Sequence, residues 1–419
     1  MSERVPEGWT KTRLSEFSSA RRGTTYVASE LSEDKERYPL YINMKSFKVG
    51  GGYNERGDKY FSSPYSPGQI VRENDLLIAN TDVTDACDIL GAAVYLPREK
   101  LLEDVLFSHH VSALNIADDV DVNFLSFLFG SENSRLAMKR CGRGTTVKML
   151  DMKDIGRICF SIPPLPEQKK IASILTSVDE VIETTQKQID KLQDLKKATM
   201  NELLTKGIGH TEFKDSELGR IPKSWGVRTL SELTLKIGDG IHATPQYSDN
   251  GDFPFINGNN LVHGSIVFGQ STKRVDKGEF EKHETKLGAE TILMSINGTI
   301  GNLAFYRGEN VVLGKSAAYL TFSNDMALLF AYYLLGSTRV KQHFEDELTG
   351  TTIRNLSLKT IRNAPVVVPP LTEQAEISEV ISSIDFSIEK IANKLAQTQS
   401  LKKSLMQDLL TGKVRVKVN

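Results

Sequence analysis

Several clusters in this 419-residue chain have the residue types of a catalytic or phosphate-binding site, and each fails on spacing. A phosphate cradle needs Gly, four residues, then Gly-Lys-Ser/Thr leading into a helix, so that backbone N–H groups curl round the phosphates. Gly308, Gly314, Lys315 and Ser316 leave five residues between the glycines, and no helical pattern follows; the segment reads as a strand-edge loop. Gly298 and Gly301 follow Asn297, and an Asn-Gly pair predicts a hairpin turn. Amino-methyl transfer to a base would need a cofactor glycine loop and a polar residue before Pro-Pro-aromatic. Here Ile162 precedes and Leu165 follows Pro163-Pro164, and Val368 and Leu371 flank Pro369-Pro370. No acidic-plus-lysine nuclease signature is present. His109 and His110 are adjacent, so on a strand they face opposite ways and cannot share a metal. The cysteines, Cys87, Cys141 and Cys159, form no CxxC pair, which points to a reducing compartment and no structural zinc.

What the spacing does show is a chain written twice. Val5-Pro6-Glu7-Gly8-Trp9 with Leu14-Ser15-Glu16 is echoed by Ile221-Pro222-Lys223-Ser224-Trp225 with Leu230-Ser231-Glu232, and these hold the only two tryptophans. Gly144-Thr145-Thr146-Val147-Lys148-Met149-Leu150 matches Gly350-Thr351-Thr352-Ile353-Arg354-Asn355-Leu356. Ile162-Pro163-Pro164-Leu165-Pro166-Glu167-Gln168 matches Val368-Pro369-Pro370-Leu371-Thr372-Glu373-Gln374, and Leu203-Leu204-Thr205 matches Leu409-Leu410-Thr411. The tryptophans are 216 positions apart and the later echoes 206, so insertions lie between Trp9 and Gly144.

The elements that position these motifs follow from periodicity. From Glu167 to about Thr205, Ile171, Ile174, Val178, Val181, Leu192 and Leu195 keep three-four spacing, with Thr185 and Gln188 interrupting the stripe. Ile377, Val380, Ile384, Ile388, Ile391, Leu395, Leu405 and Leu409 do the same in the second tail. Neither tail contains Pro or Gly, the double proline stops the preceding strand, and Thr372 suits an N-cap. Each helix would be roughly 55–60 Å long and needs a partner for its stripe, the other tail being nearest. Strands are expected at 38–43, 75–79, 253–257 and 291–295, and helices ending at Gly130-Ser131 and Gly336-Ser337. Residues 206–219 read as the linker, with Gly207 and Gly209 as breakers.

Hydrophobic content of 39% and charged content of 25% are those of an ordinary globular protein, and the longest apolar run, 89–96, is too short to cross a bilayer. With no signal peptide at Met1-Ser2-Glu3-Arg4, the expected location is cytoplasmic and off the membrane. Lys plus Arg is 52 against Asp plus Glu 53, a net charge of −1. Nucleic-acid binding on that balance needs a local positive cleft or a partner's charge.

The doubled Gly-Thr-Thr-x-Lys/Arg-x-Leu, followed by a strand, Pro-Pro-Leu-x-Glu-Gln and a helix of about forty residues, resembles the specificity subunits of Type I restriction-modification systems across essentially the whole chain. The resemblance implies an α+β fold: two mixed α/β target-recognition domains (1–160 and 207–366) separated by two long antiparallel coiled-coil helices (161–206 and 367–419), related by a pseudo-two-fold internal repeat. It implies that each domain reads half of a bipartite double-stranded DNA target, and that helix length sets the unread spacer. Two modification subunits carrying S-adenosylmethionine would bind the helical core and methylate adenine N6. Restriction subunits would add translocation and cleavage driven by ATP with magnesium, and this chain itself would hold no cofactor or metal and catalyse nothing. The weak likeness of the two globular parts predicts an asymmetric target.

For DNA contact the first candidates are Thr145, Thr146 and Lys148, with Thr351, Thr352 and Arg354 as their repeats, because hydroxyls, a Gly-led loop's N–H groups and one cation suit phosphate. The same threonines could instead staple the domain to the helix pair. Arg21, Arg22, Lys45 and Lys48 in the first half, and His242, Lys273, Arg274 and Lys315 in the second, are further candidates. The helix stripes are assigned to helix–helix core. The competing reading is a coiled-coil adaptor with two protein-binding heads.

Overall fold

Heptad spacing governs the two longest elements of the computed structural model, which describes residues 5–96, 98–348 and 354–418. The first long helix is Leu165–Lys206 and the second Leu371–Leu409. Each opens directly after its Pro-Pro pair, and Gln374 N–H donates to Pro370 O. Thr372 therefore sits inside the first turn and is not the N-cap expected of it; the proline backbone closes the turn.

On the first helix the buried and half-buried positions are Ile171, Leu175, Val178, Ile182, Thr185, Ile189 and Leu192, in steps of four and three. On the second they are Ile377, Ile381, Ile384, Ile388, Ile391 and Leu395. Ile174 is half-buried beside this row and packs on the first unit's core. Val181, Leu195 and Val380 are not core: they are 45%, 51% and 42% exposed. A 3.5-residue repeat turns Ile182, Lys196 and Ile381 inward in their place. Thr185, which breaks the apolar stripe in sequence, is buried in the seam because its hydroxyl donates to Val181 O at 2.6 Å.

The chain divides into two compact units, Met1–Gln186 with Asn393–Asn419, and Lys187–Ala392. Each long helix gives one end to each unit. In the first unit Lys402 Nζ lies 2.6 Å from Asp179 and over the Phe127 ring. In the second, Lys196 Nζ lies 2.6 Å from Asp385 and over the Tyr333 ring, whose hydroxyl donates to Asp385 at 2.9 Å. Within each unit the paired helix ends run antiparallel, since Glu167 meets Arg415 where Asp179 meets Lys402, and Glu373 meets His210 where Asp385 meets Lys196.

The glutamate and glutamine that open each helix tie the unit together. Glu373 accepts from Trp225 Nε1 at 2.8 Å and Ile208 N at 3.1 Å, with His210 Nε2 at 2.7 Å. Glu167 accepts from Trp9 Nε1 at 3.3 Å and, bidentately, from Arg415 at 2.7 and 2.8 Å. That pairing holds the Arg415 guanidinium above its ordinary pKa. Both basic partners follow a helix end where the chain turns at a left-handed glycine, Gly207 (φ 67°) or Gly412 (φ 69°); a Cβ there would strike Glu373 and Trp225, or Pro6 and Trp9. The neighbouring glutamines clamp loops. Gln374 accepts from Ala327 N and donates to Asp325 O and Pro369 O, as Gln168 accepts from Asp121 N and donates to Asp119 O and Pro163 O. Each clamp sets the start of an apolar helix, Leu328–Leu335 or Val122–Gly130.

Each unit carries an antiparallel four-stranded sheet over these helices. In the first the order is Ser18–Arg22, Val111–Ile116, Asp75–Ala79, Ala93–Val94; in the second it is Thr234–Asp239, Ala317–Phe322, Thr291–Ser295, Leu303–Phe305. A second sheet in each has one parallel pair, Leu40–Ile42 with Val105–Phe107, and Phe253–Ile256 with Val312–Leu313. The expected strands are all present. Ser131 and Ser337, expected as helix ends, each also cap a further helix, Glu132–Arg140 and Thr338–Asp346. Part of the expected linker pairs as a hairpin, Phe213–Ser216 with Gly219–Pro222.

Burial predicts the consequences of two substitutions, read by the fluorescence of buried Trp225 in a Trp9→Phe background during urea unfolding. Ile377→Ala should cost about 2–5 kcal/mol, whereas Val380→Ala, two-fifths exposed, should stay within about 0.5 kcal/mol. Glu373→Ala strands the Trp225 and Ile208 donors and should cost about 1–3 kcal/mol, with a red-shifted native emission; an unshifted spectrum and midpoint would show that the glutamate holds nothing.

Candidate nucleic-acid interface

The central sheet of the first unit ends at a corner where four segments meet. Strand Ser18–Arg22 exits through Gly23, Thr24, Thr25 and Tyr26; the turn at Ser108, His109 and His110 leads into Val111–Ile116; Asn80 leads into the short strand Thr81–Asp82; and that strand pairs with Lys148–Leu150, directly after the Gly-Thr-Thr loop. Backbone bonds lock the corner: Thr24 bridges Ser108, His109 N donates to Thr24 O at 2.9 Å, Asn80 N to His110 O at 2.8 Å, and Leu150 N to Asn80 O at 2.8 Å. A Cβ on Gly23 would collide with Phe107 and Ser108 carbonyls, so only glycine allows this approach.

The two histidines lie in a turn, not on a strand, and their rings sit side by side with centroids 3.9 Å apart, contrary to the opposed faces expected from their adjacency. Tyr26 packs on His109 with ring centroids 5.8 Å apart. His110 Nδ1 is 3.0 Å from Thr81 Oγ1. Burial, then His109 and Arg22, push the His110 pKa below its ordinary value, keeping the ring neutral. Among the described residues no three His, Cys, Asp or Glu side chains are grouped to hold a metal.

An exposed loop, 83–89, projects beside this corner and is braced from beneath. Asp82 is buried, which alone would raise its pKa. Bonds from Thr84 N, Thr84 Oγ1, Ile89 N and Leu90 N outweigh that and hold it lowered. Arg135, also buried, donates to Leu90 O, Asp88 O and Cys87 O. Val83 at the tip is 66% exposed and Cys87 is held at a positive φ of 52°.

The second unit builds the same corner from other side chains. Ile241 bridges Gly314 as Thr24 bridges Ser108, Gly240 meets Leu313 and Gly314 carbonyls as Gly23 meets Phe107 and Ser108, and Leu356 N donates to Ile296 O as Leu150 N does to Asn80 O. Lys315 and Ser316 stand where His109 and His110 stand. Lys315 is exposed and makes no side-chain bond among the described residues; Ser316 donates to Asn257 Oδ1 at 2.8 Å and accepts from Gly258 N at 3.0 Å.

The candidates from sequence distribute unevenly over these corners. Thr145 and Thr146 are exposed at the tip of the first Gly-Thr-Thr loop, and Lys148 folds back to donate to Gly144 O at 2.7 Å. Thr351 and Thr352 lie outside the described residues; Arg354, just after them, is exposed. Arg22 is exposed at the corner. Arg21 is spent internally, bonded to buried Asp75 and to Gly68 O and Ile70 O. Lys45 and Lys48 are exposed on a separate loop. His242 is exposed near the second corner, with Nε2 2.8 Å from Asp239. Lys273 is exposed, and Arg274 donates to Asp252 O at 2.9 Å on the edge strand Arg274–Val275. Tyr26, Asn80, Thr81, His109 and His110 are not among the DNA-contact candidates that the sequence offers; the adjacent histidines alone carry a sequence signal, and it reads only as an unsuitable metal pair.

These paired corners stand on a framework shared with known proteins. A family model described as "Type I restriction modification DNA specificity domain" matches residues 6–194 and again 222–399. The chain belongs to this family. It is 28% identical over 424 residues to the Type I restriction enzyme MjaVIII specificity subunit of Methanocaldococcus jannaschii, covering 99% of this chain and 95% of that protein. It is 19% identical to the EcoKI specificity subunit of Escherichia coli strain K12 over 98% of this chain and 90% of that one. The fold matches a crystal structure of the Type I restriction-modification S subunit from M. genitalium, with a TM-score of 0.58, 16% identity and 97% coverage of both chains. The chain is thus a DNA sequence-specificity subunit of a Type I system. No described helix is long and apolar enough to cross a membrane.

The pKa of His110 gives a pH signature. Its folded value lies below the ordinary 6.5, so between the two the unfolded chain binds more protons and stability falls as pH drops through that window. The loss in urea midpoint between about pH 7.5 and about pH 5 should be smaller in His110→Phe than in the parent. An equal loss in both would show that His110 ionises freely in the fold.

Proposed function

We infer that this subunit selects an asymmetric, bipartite double-stranded DNA target, each unit reading one half, and that partner subunits act there. The observation that carries this reading is the contrast just described: two corners on one backbone plan present unlike side chains, His109 and His110 against Lys315 and Ser316. Unlike readers on like frames call for two different half-sites. The chain supplies no chemistry of its own in this reading. Two modification subunits bring S-adenosylmethionine and methylate adenine N6, and restriction subunits bring ATP and magnesium, all in the cytoplasm.

Val181, Leu195, Val380 and Leu401 stand exposed on the long helices, where partners bound to those helices would cover them in this reading. The net charge of −1 fits the same picture, since a modification partner would add much of the positive field on DNA. The adaptor reading, with heads that bind protein only, is not favoured by the family match.

Single-molecule methylome sequencing of the host, with and without the gene, tests the proposal. Deletion should erase one split adenine-methylated motif with unlike halves. A palindromic motif would contradict asymmetry, and an unchanged methylome with the partner genes expressed would contradict the reading itself.

A further inference from the structure

Thr24 Oγ1, Asn80 Oδ1 and His109 Nδ1 are buried with no hydrogen-bond partner among the described residues, and all three belong to the corner of the first unit. Thr24 and Asn80 are each only 8% exposed, and among the described residues neither side chain makes a hydrogen bond. Leaving a buried donor or acceptor unmet is unfavourable, and the internal repeat shows that the frame does not call for these two groups. Ile241 bridges Gly314 as Thr24 bridges Ser108, so the second unit has isoleucine at the Thr24 position. Ile296 N donates to Ser316 O and Ile296 O accepts from Leu356 N, as Asn80 N donates to His110 O and Asn80 O accepts from Leu150 N. Isoleucine therefore stands at the Asn80 position too. Ile296 is 3% exposed and lies in the core of its unit, and Ile241 packs beside Phe255, Val275 and Val312. The same backbone is thus built with apolar side chains at both positions. Polar groups left unmet where the twin does without them mark a place that serves binding and not folding.

We propose that Asn80 and Thr24 are specificity-determining residues of the first unit, Asn80 pairing its amide with N6 and N7 of an adenine in the major groove, and that the second unit reads its half-site without these two positions. The inference rests on the bipartite reading above. The chain is a DNA sequence-specificity subunit, so the ligand that would meet unfilled donors and acceptors is a base edge. An amide turned either way shows an acceptor beside a donor. Its bidentate match among the four bases is adenine, which offers the N6 amine beside the N7 acceptor. The Thr24 hydroxyl both donates and accepts, so it adds a bond without choosing the base. Both groups are shielded in the chain alone, and the base is admitted by rotation of side chains at the rim. Met149, opposite Thr81 in the ladder and 52% exposed, flanks Asn80 and is unbranched, and Tyr26 is partly exposed beside His109.

The test uses the full chain in its native complex with its modification partners. Asn80→Ile and Thr24→Val are compared with the parent by methylome sequencing, by thermal unfolding, and by binding of the purified complexes to duplexes carrying the parent motif or single base changes. A parent that yields no split methylated motif contradicts the bipartite reading itself, before any variant is compared. Given that motif, Asn80→Ile should relax one A·T pair in one half, with discrimination reduced about 5- to 150-fold. Its unfolding midpoint should hold or rise, because the frame accepts isoleucine there in the second unit. Thr24→Val should weaken binding through the same half and leave the other half unchanged. Replacing the adenine of that pair with 7-deazaadenine removes N7, and should weaken the parent while leaving Asn80→Ile indifferent. A lowered midpoint with an unchanged motif in both variants makes these groups structural and overturns the proposal. Relaxation at a G·C pair, or an equal loss from 7-deazaadenine in parent and variant, overturns the adenine assignment. Equal weakening of Asn80→Ile on every duplex, related or not, makes Asn80 a backbone contact and overturns it as well. If Asn80→Ile fails to fold, Asn80→Ala, which removes the amide without adding bulk, decides by the same readouts.

Discussion

A glutamate and a glutamine, side by side in the first turn of each long helix, hold the rest of each unit in place. Glu167 and Gln168, like Glu373 and Gln374, are withdrawn from solvent with their acceptors filled by donors from remote parts of the chain. The glutamate gathers the tryptophan that opens the repeat and a basic side chain that follows the other helix. The glutamine fixes the loop entering the apolar helix on which the sheet rests. Burying a carboxylate is costly unless its bonds are met, so the arrangement tolerates little displacement of any member. Three segments distant in sequence become one anchor.

That anchor explains why the two halves agree at their edges and diverge within. Lys196 with Asp385 and Lys402 with Asp179 repeat the logic further along the helices, each lysine lying over an aromatic ring of the apolar helix. These groups are coupled in all directions, so a change in one strands another. Loop 83–89, the first Gly-Thr-Thr loop and the turns before the central strands present outward side chains outside these anchors. A frame held by buried polar bonds can carry different surface chemistry in its two copies.

Charge is disposed by the same economy. Arg21, Arg135 and Arg415 are bound to carbonyls and carboxylates within the fold, and Arg274 to a turn. Arg22 and Lys315 remain outward at or beside the corners. A formal charge near zero is therefore no measure of what faces a ligand: several cations are internal braces, and a few placed ones are left to act.

The sequence by itself determined the doubling of the chain, the two long helices, the central strands and the family, because repeats and hydrophobic periods are local or self-referential signals. It also marked the Glu-Gln pair without giving it a purpose. Which residues filled the seam was decided by supercoiling: a 3.5-residue repeat, sustained over forty positions, moved Val181, Leu195 and Val380 outward and drew Thr185 inward once its hydroxyl could bond its own helix. Only the tertiary structure brought Glu167 to Arg415, 248 residues away, and gave each unit one end of both helices. It alone placed His109 and His110 ring against ring in a turn beside Thr24, Asn80 and Thr81, because a corner built by four separated segments leaves no period in the sequence to read.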